Sequence, residues 1–135
     1  MSGRTEPGST LRGAVVRRDA VVTLVVFTSG GDRLERTAVV DTGCQKSLIL
    51  PPLLFEKVRR TPRLRGTTAL ADGTVAEHPE ASVRVELCGV ARNVLAGCLG
   101  RDVLLGMALL AGHRLTVDAA EGGPVTISPL AQSPA

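Results

Sequence analysis

Nowhere does the chain sustain a helical apolar period for long. What recurs instead is a short β-branched or aliphatic run closed by a turn signal, about every ten residues. Val21 to Phe27 and Arg33 to Val40 read as strands, and Ser29-Gly30-Gly31-Asp32 between them gives hairpin spacing. Thr67 to Leu70 and the residues from Thr74 onward flank Ala71-Asp72-Gly73, where Asp-Gly is a hairpin signal. Val83-Arg84-Val85-Glu86-Leu87 alternates apolar and polar, as a strand wet on one face must. Cys88-Gly89 then turns the chain, and Val90 to Leu99 returns along it. Val103 to Leu105, Leu115 to Asp118 and Val125 to Ile127 complete the strands. Only Leu53 to Val58, behind Pro51-Pro52, and Met107 to Ala111, before Gly112, read as short helices. The expected fold class is all-β, a barrel-like domain with one or two short helices.

Phe27 and Phe55 are the only aromatic residues, so the core is aliphatic. A chain of 135 residues makes one domain. It is expected over 14–127, with a flexible N-terminal tail over 1–13 and a flexible C-terminal tail over 128–135. A core of this size favours self-association. The net charge is +3, and the 14 Arg against 2 Lys are scattered. The densest group, Arg59, Arg60, Arg63 and Arg65, reads as a solvated segment; without an aromatic platform it is a weak nucleic-acid patch. Cys44, Cys88 and Cys98 are odd in number and lack C-x-x-C spacing, which argues against a disulfide framework or a zinc site and for a reducing compartment. No apolar run approaches membrane-spanning length. The default is a cytoplasmic protein with no metal, no cofactor, no nucleic-acid partner and no membrane partner.

The chemistry concentrates at Thr37 to Leu50, where an apolar strand runs into Asp41-Thr42-Gly43 and a second apolar run follows. A charged acid between two strands costs several kcal/mol unless it is solvated or hydrogen-bonded. Asp41 therefore sits either in a solvated turn or in a set of bonds made for it. Gly43 permits a tight loop, and its N–H can face the carboxylate. Cys44 reads as a small packing residue rather than a nucleophile, because no base adjoins it. His78 and His113 lie far off in sequence and are expected at surface or turn positions. Cys88 and Cys98 are expected in the core.

Three elements in this order, Asp41-Thr42-Gly43 after an apolar strand, Leu70-Ala71-Asp72-Gly73-Thr74-Val75 as a hairpin, and Leu104-Leu105-Gly106 leading into Met107-Ala108-Leu109-Leu110, resemble the retropepsin-like aspartic proteases, in particular their single-domain bacterial members. The likeness spans roughly residues 20 to 127. It implies a barrel half assembled as a symmetric homodimer. Asp41 would be the catalytic residue, Thr42, Gly43 and Cys44 its loop, and Leu70, Ala71, Asp72, Gly73 and Thr74 a flap over a peptide or protein substrate. Leu104, Leu105 and Gly106 would pack beneath the loop. With a single Asp-Thr-Gly per chain, the implied site needs Asp41 from two chains on a two-fold axis. The Thr42 hydroxyl would reach the partner, and strands near both termini would join the interface. Gln45 and Lys46 stand where retroviral members often carry an acid, so a cationic rim that disfavours basic substrate residues is expected. The implied activity is that of an aspartic endopeptidase. The alternative is a non-catalytic dimerisation or peptide-binding module on the same fold.

Overall fold

A computed structural model describes residues 6–131. Ten strands and two short helices follow one another as β1 (Leu11–Val16), β2 (Asp19–Phe27), β3 (Arg33–Val40), β4 (Leu48–Leu50), α1 (Pro52–Val58), β5 (Leu64–Ala69), β6 (Val75–Leu87), β7 (Val90–Cys98), β8 (Val103–Leu105), α2 (Met107–Leu110), β9 (His113–Val117) and β10 (Pro124–Pro129). They form one sheet in the order β5-β6-β7-β4-β8-β3-β2-β1-β10-β9, and an additional β6–β2 pairing closes its middle into a barrel. The closure is possible because β2 divides one edge between two partners. Val22 to Asp19 pair with β1, whereas Val25 to Phe27 pair with β6.

The barrel is filled by aliphatic side chains from alternate strand positions, among them Leu24, Val26, Leu48, Leu50, Val83, Val85, Leu87 and Leu105, all fully buried. Phe55 of α1 is also fully buried, and with Leu54 and Val58 it forms the helical stripe expected from the sequence. Pro51 precedes α1 in extended backbone and Pro52 opens it, where a missing N–H forfeits no helical bond.

Several boundaries differ from those expected. The tails are shorter, because Leu11 to Gly13 pair with β10, and Ser128 and Pro129 pair with β9. Residues 1–5 and 132–135 of the expected tails lie outside the described residues. The run from Thr74 and the alternating run ending at Leu87 are one strand, β6, which pairs first with β5 and then with β7. Pro79 falls where β5 is its only partner strand, an edge position that tolerates proline. No helix among the described residues is long and apolar enough to cross a membrane.

Truncating Phe55 removes the largest fully buried side chain. Phe55→Ala is expected to lower the unfolding free energy by about 3–5 kcal/mol. Leu53→Ala, two residues away in the same helix at a side chain 90% exposed, is expected to stay within about 0.5 kcal/mol. Urea unfolding of the two variants checks the contrast.

Candidate active site

Asp41 follows β3 directly, and β8 holds it there. The three residues of β8 lie between the two strands that flank the Asp41 loop, parallel to β3 and antiparallel to β4. The Asp41 N–H donates to the Leu105 carbonyl at 2.9 Å, which carries the β3–β8 ladder one residue past the strand. The Cys44 N–H donates to the Asp41 carbonyl at 3.1 Å and closes the loop as a tight turn. The Gly43 N–H donates to Asp41 Oδ1 at 3.0 Å. Asp41 is thus half-buried, and one backbone donor aims its carboxylate.

Gly106 secures the loop from below. Its N–H donates to the Ser47 carbonyl, and the Met107 N–H donates to the Cys44 carbonyl at 2.7 Å. A Cβ on Gly106 would stand 2.0 Å from the Lys46 carbonyl oxygen, so only glycine permits this approach. Leu105 is fully buried and Leu104 half-buried. The apolar-apolar-Gly element therefore lies directly beneath the Asp-Thr-Gly loop.

A cavity of about 890 Å3 opens above Asp41. Its floor includes Asp41, Gly43, Cys44 and Leu104, and its roof includes Thr67 to Ala71 at the end of the β5–β6 hairpin. The structure thus brings Asp41, Gly43, Cys44, Leu70, Ala71 and Leu104 around one groove. Asp72, Gly73 and Thr74 form the hairpin tip beyond it. Thr42 is exposed and borders a different cavity, walled by Val15, Leu115 and Val117. Gly100, Arg101 and Asp102 of the β7–β8 loop also wall the Asp41 groove. Their sequence carries no signal for this; their place in the groove follows from the parallel β4–β7 pairing, which sets the loop beside Asp41.

The hairpin tip is closed by the Leu70 N–H donating to the Thr74 carbonyl, with Gly73 at φ 87°. Asp72 Oδ1 accepts both the Thr74 hydroxyl at 2.6 Å and the Thr74 N–H at 2.9 Å. The hydroxyl first and then the N–H hold the Asp72 carboxyl below its ordinary range.

Polar groups are buried where the hairpin meets the barrel. His78, expected near the surface, is 5% exposed. Its ring packs against Gly97, where a Cβ would come within 2.7 Å, and this space is what admits a buried imidazole. Both ring nitrogens are bonded, Nδ1 to the Pro79 carbonyl at 3.0 Å and Nε2 to Thr68 Oγ1 at 2.6 Å. With Nδ1–H donating, the Thr68 hydroxyl donates to Nε2. Glu80 is also buried, and its carboxylate accepts Lys46 Nζ at 2.8 Å. Lys46 therefore does not supply the free cationic rim expected from the sequence; its charge is paired inside the groove wall.

Cys44 bonds through its backbone alone among the described residues, in keeping with a packing role. Burial pushes the Cys88 and Cys98 thiols up, so both are protonated at neutral pH. Cys88 is buried as expected, whereas Cys98 is half-buried. Among the described residues no three His, Cys, Asp or Glu side chains gather as metal ligands would.

Two outcomes follow from this geometry. Gly106→Ala is expected to destabilise the fold by about 3 kcal/mol, the upper end of the overpacking range, since neither clashing backbone can yield freely; thermal unfolding measures it. Because the folded pKa of Asp72 is depressed, its bonds to Thr74 are present at and above the ordinary aspartate range and are lost as pH falls through the lowered value. The Thr74 amide resonance is expected to titrate with a midpoint below that of an ordinary aspartate, and Asp72→Asn is expected to abolish that transition.

The chain resembles a solved structure described as a retropepsin-like aspartic protease from Rickettsia conorii, with a TM-score of 0.52 and 18% sequence identity, over 93% of this chain and 96% of that one. No family model matches the chain. No curated protein matches it either. At this identity the likeness speaks for the fold, and the fold of the chain is retropepsin-like, all-β with two short helices.

Proposed function

We propose that the chain is one subunit of a homodimeric aspartic endopeptidase, with Asp41 from each subunit forming the catalytic pair. The observation that carries this reading is the Asp41 carboxylate, fixed by the Gly43 N–H on the floor of a groove roofed by a hairpin. The likeness in fold to an aspartic protease supports it. One chain offers one such carboxylate. Asp102 also borders the groove, but among the described residues no hydrogen bond orients it.

Two carboxylates about 3 Å apart cannot both ionise, so they share one proton. The ionised member takes a proton from a water held between them, and the water oxygen attacks the peptide carbonyl carbon. The protonated member gives its proton to the carbonyl oxygen. The tetrahedral diol then collapses, the C–N bond breaks, and the amide nitrogen leaves with a proton returned from the pair. No covalent enzyme intermediate, metal or cofactor takes part in this reading.

The hairpin would lie across the substrate. Leu70 and Val75 near its tip are exposed, apolar surface that a bound peptide would cover. The partner subunit would meet the face that carries Thr42. Val16 and Val117 are exposed there, and β9 leaves one edge of the sheet open. β10 itself lies between β1 and β9, and Val125 and Ile127 are fully buried within the chain, so the edge offered to a partner would be that of β9 rather than the expected Val125 to Ile127.

Asp41→Asn is expected to lower kcat/KM on a susceptible peptide by at least about a thousandfold, with circular dichroism and sedimentation unchanged. A peptide-library digest with the two proteins in parallel measures this. Hydrolysis retained by Asp41→Asn rules out Asp41 as the catalytic acid. Peptide binding by wild type without any cleavage favours the non-catalytic module instead.

A further inference from the structure

A second cavity, of about 830 Å3, lies between β3, α1 and the β7–β8 loop. Gly100, Arg101 and Asp102 wall both this cavity and the Asp41 groove. The two are neighbours across a single loop. A polypeptide that reached from the Asp41 groove into this cavity would have to pass that loop.

The chemistry of the second cavity is one-sided. Val39, Leu54 and Val103 give it an apolar lining, and Leu53 stands beside them 90% exposed. Arg36, Lys57 and Arg101 border it, against one acid, Asp102. Among the described residues none of these three cations is in an ion pair, whereas Arg33, Lys46, Arg59 and Arg63 each pair with a glutamate. The Arg36 guanidinium donates to the Glu35 carbonyl at 2.9 Å, which fixes it in place without neutralising it. Unpaired cations around an apolar cleft are complementary to an acidic segment that also carries an aliphatic side chain. The only aromatics, Phe27 and Phe55, do not line the cavity, so it offers no platform for stacked bases.

We propose that this cavity is an exosite for an acidic segment of the polypeptide substrate that also carries an aliphatic side chain, lying beyond the residues held over Asp41. The proposal rests on the proteolytic reading of the Asp41 groove and names a feature of its substrates. Contacts at this distance from the reacting bond strengthen binding of substrate and transition state alike, so they lower KM and leave kcat unchanged. The attraction is between exposed charges and weakens with salt, since the screening length is about 8 Å at physiological ionic strength.

The test uses fluorescent peptides that share one cleavable core and differ in the distal tail, Glu-Asp-Leu-Glu in one and Lys-Ser-Leu-Lys in the other. Anisotropy with full-length Asp41→Asn protein reads binding without turnover, and kcat/KM with wild type reads cleavage. The acidic tail is expected to bind tighter, and Lys57→Glu together with Arg36→Gln to weaken it roughly five- to twentyfold at low salt, with the basic-tailed peptide little changed. Lys57→Glu alone, at an exposed helical position, is expected to show the same direction should the double variant fold poorly. Equal binding of the two tails, or indifference of the acidic tail to both variants, overturns the exosite. So does an oligonucleotide that binds with the same charge dependence while the acidic peptide does not. Absence of cleavage with the binding pattern intact counts against the Asp41 reading and leaves the acidic-segment site standing.

Discussion

A three-residue strand laid between the two strands that flank Asp41 is the constraint on which the rest of the structure depends. Without β8, β3 and β4 would diverge around an open loop, and Asp41 would be a solvated turn residue. With it, the Asp41 N–H continues the β3 ladder onto Leu105, and the loop closes back on itself through Cys44. The interlock demands a glycine immediately after β8, because the Lys46 carbonyl occupies the space of a side chain at 106. Sequence, sheet register and carboxylate placement are joined at this point. The apolar pair buries the strand, the glycine admits the loop, and the loop presents one oxygen of Asp41 to a backbone donor.

The hairpin over the groove needs a different solution. It projects beyond the barrel and has little apolar surface to bury, so its root is held by buried and half-buried polar groups that bond one another. His78 uses both ring nitrogens, and Glu80 is matched by Lys46. The absence of side chains at Gly66 and Gly97 leaves room for Glu80 and His78 respectively. Removing one member of such a set leaves its partner desolvated and unpaired, which costs about 1–3 kcal/mol. The Lys46–Glu80 pair runs from the loop after Asp41 to the base of the hairpin. It therefore couples the orientation of the floor of the groove to that of its roof.

Much of this was legible from residue order, and the exceptions have physical causes. The hairpins at Ser29 to Asp32 and at Asp72-Gly73 announce themselves because glycine relieves the backbone there. The β1–β2 hairpin does not, because Arg17 and Arg18 carry the positive φ angles of its turn, 51° and 70°, without glycine or asparagine. Reading Leu11 to Gly13 as tail followed from that. Burial of His78 was invisible because it depends on Gly97, nineteen residues away and adjacent only through the β6–β7 pairing. Lys46 read as a free charge because Glu80 lies on another strand. The Asp41 loop and the element beneath it were recognisable as local motifs, while the role of Gly100 to Asp102 as a groove wall arises from topology alone.

In the proposed dimer each chain is half of a site, with a carboxylate that lacks its companion until a second chain supplies it. Mixing wild type with Asp41→Asn at fixed total concentration, after exchange of subunits, tests this directly. If every mixed dimer is inactive, peptide hydrolysis falls as the square of the wild-type fraction, and that is the predicted result. Hydrolysis falling linearly with the wild-type fraction would mean that one chain holds a complete site, and would contradict the account.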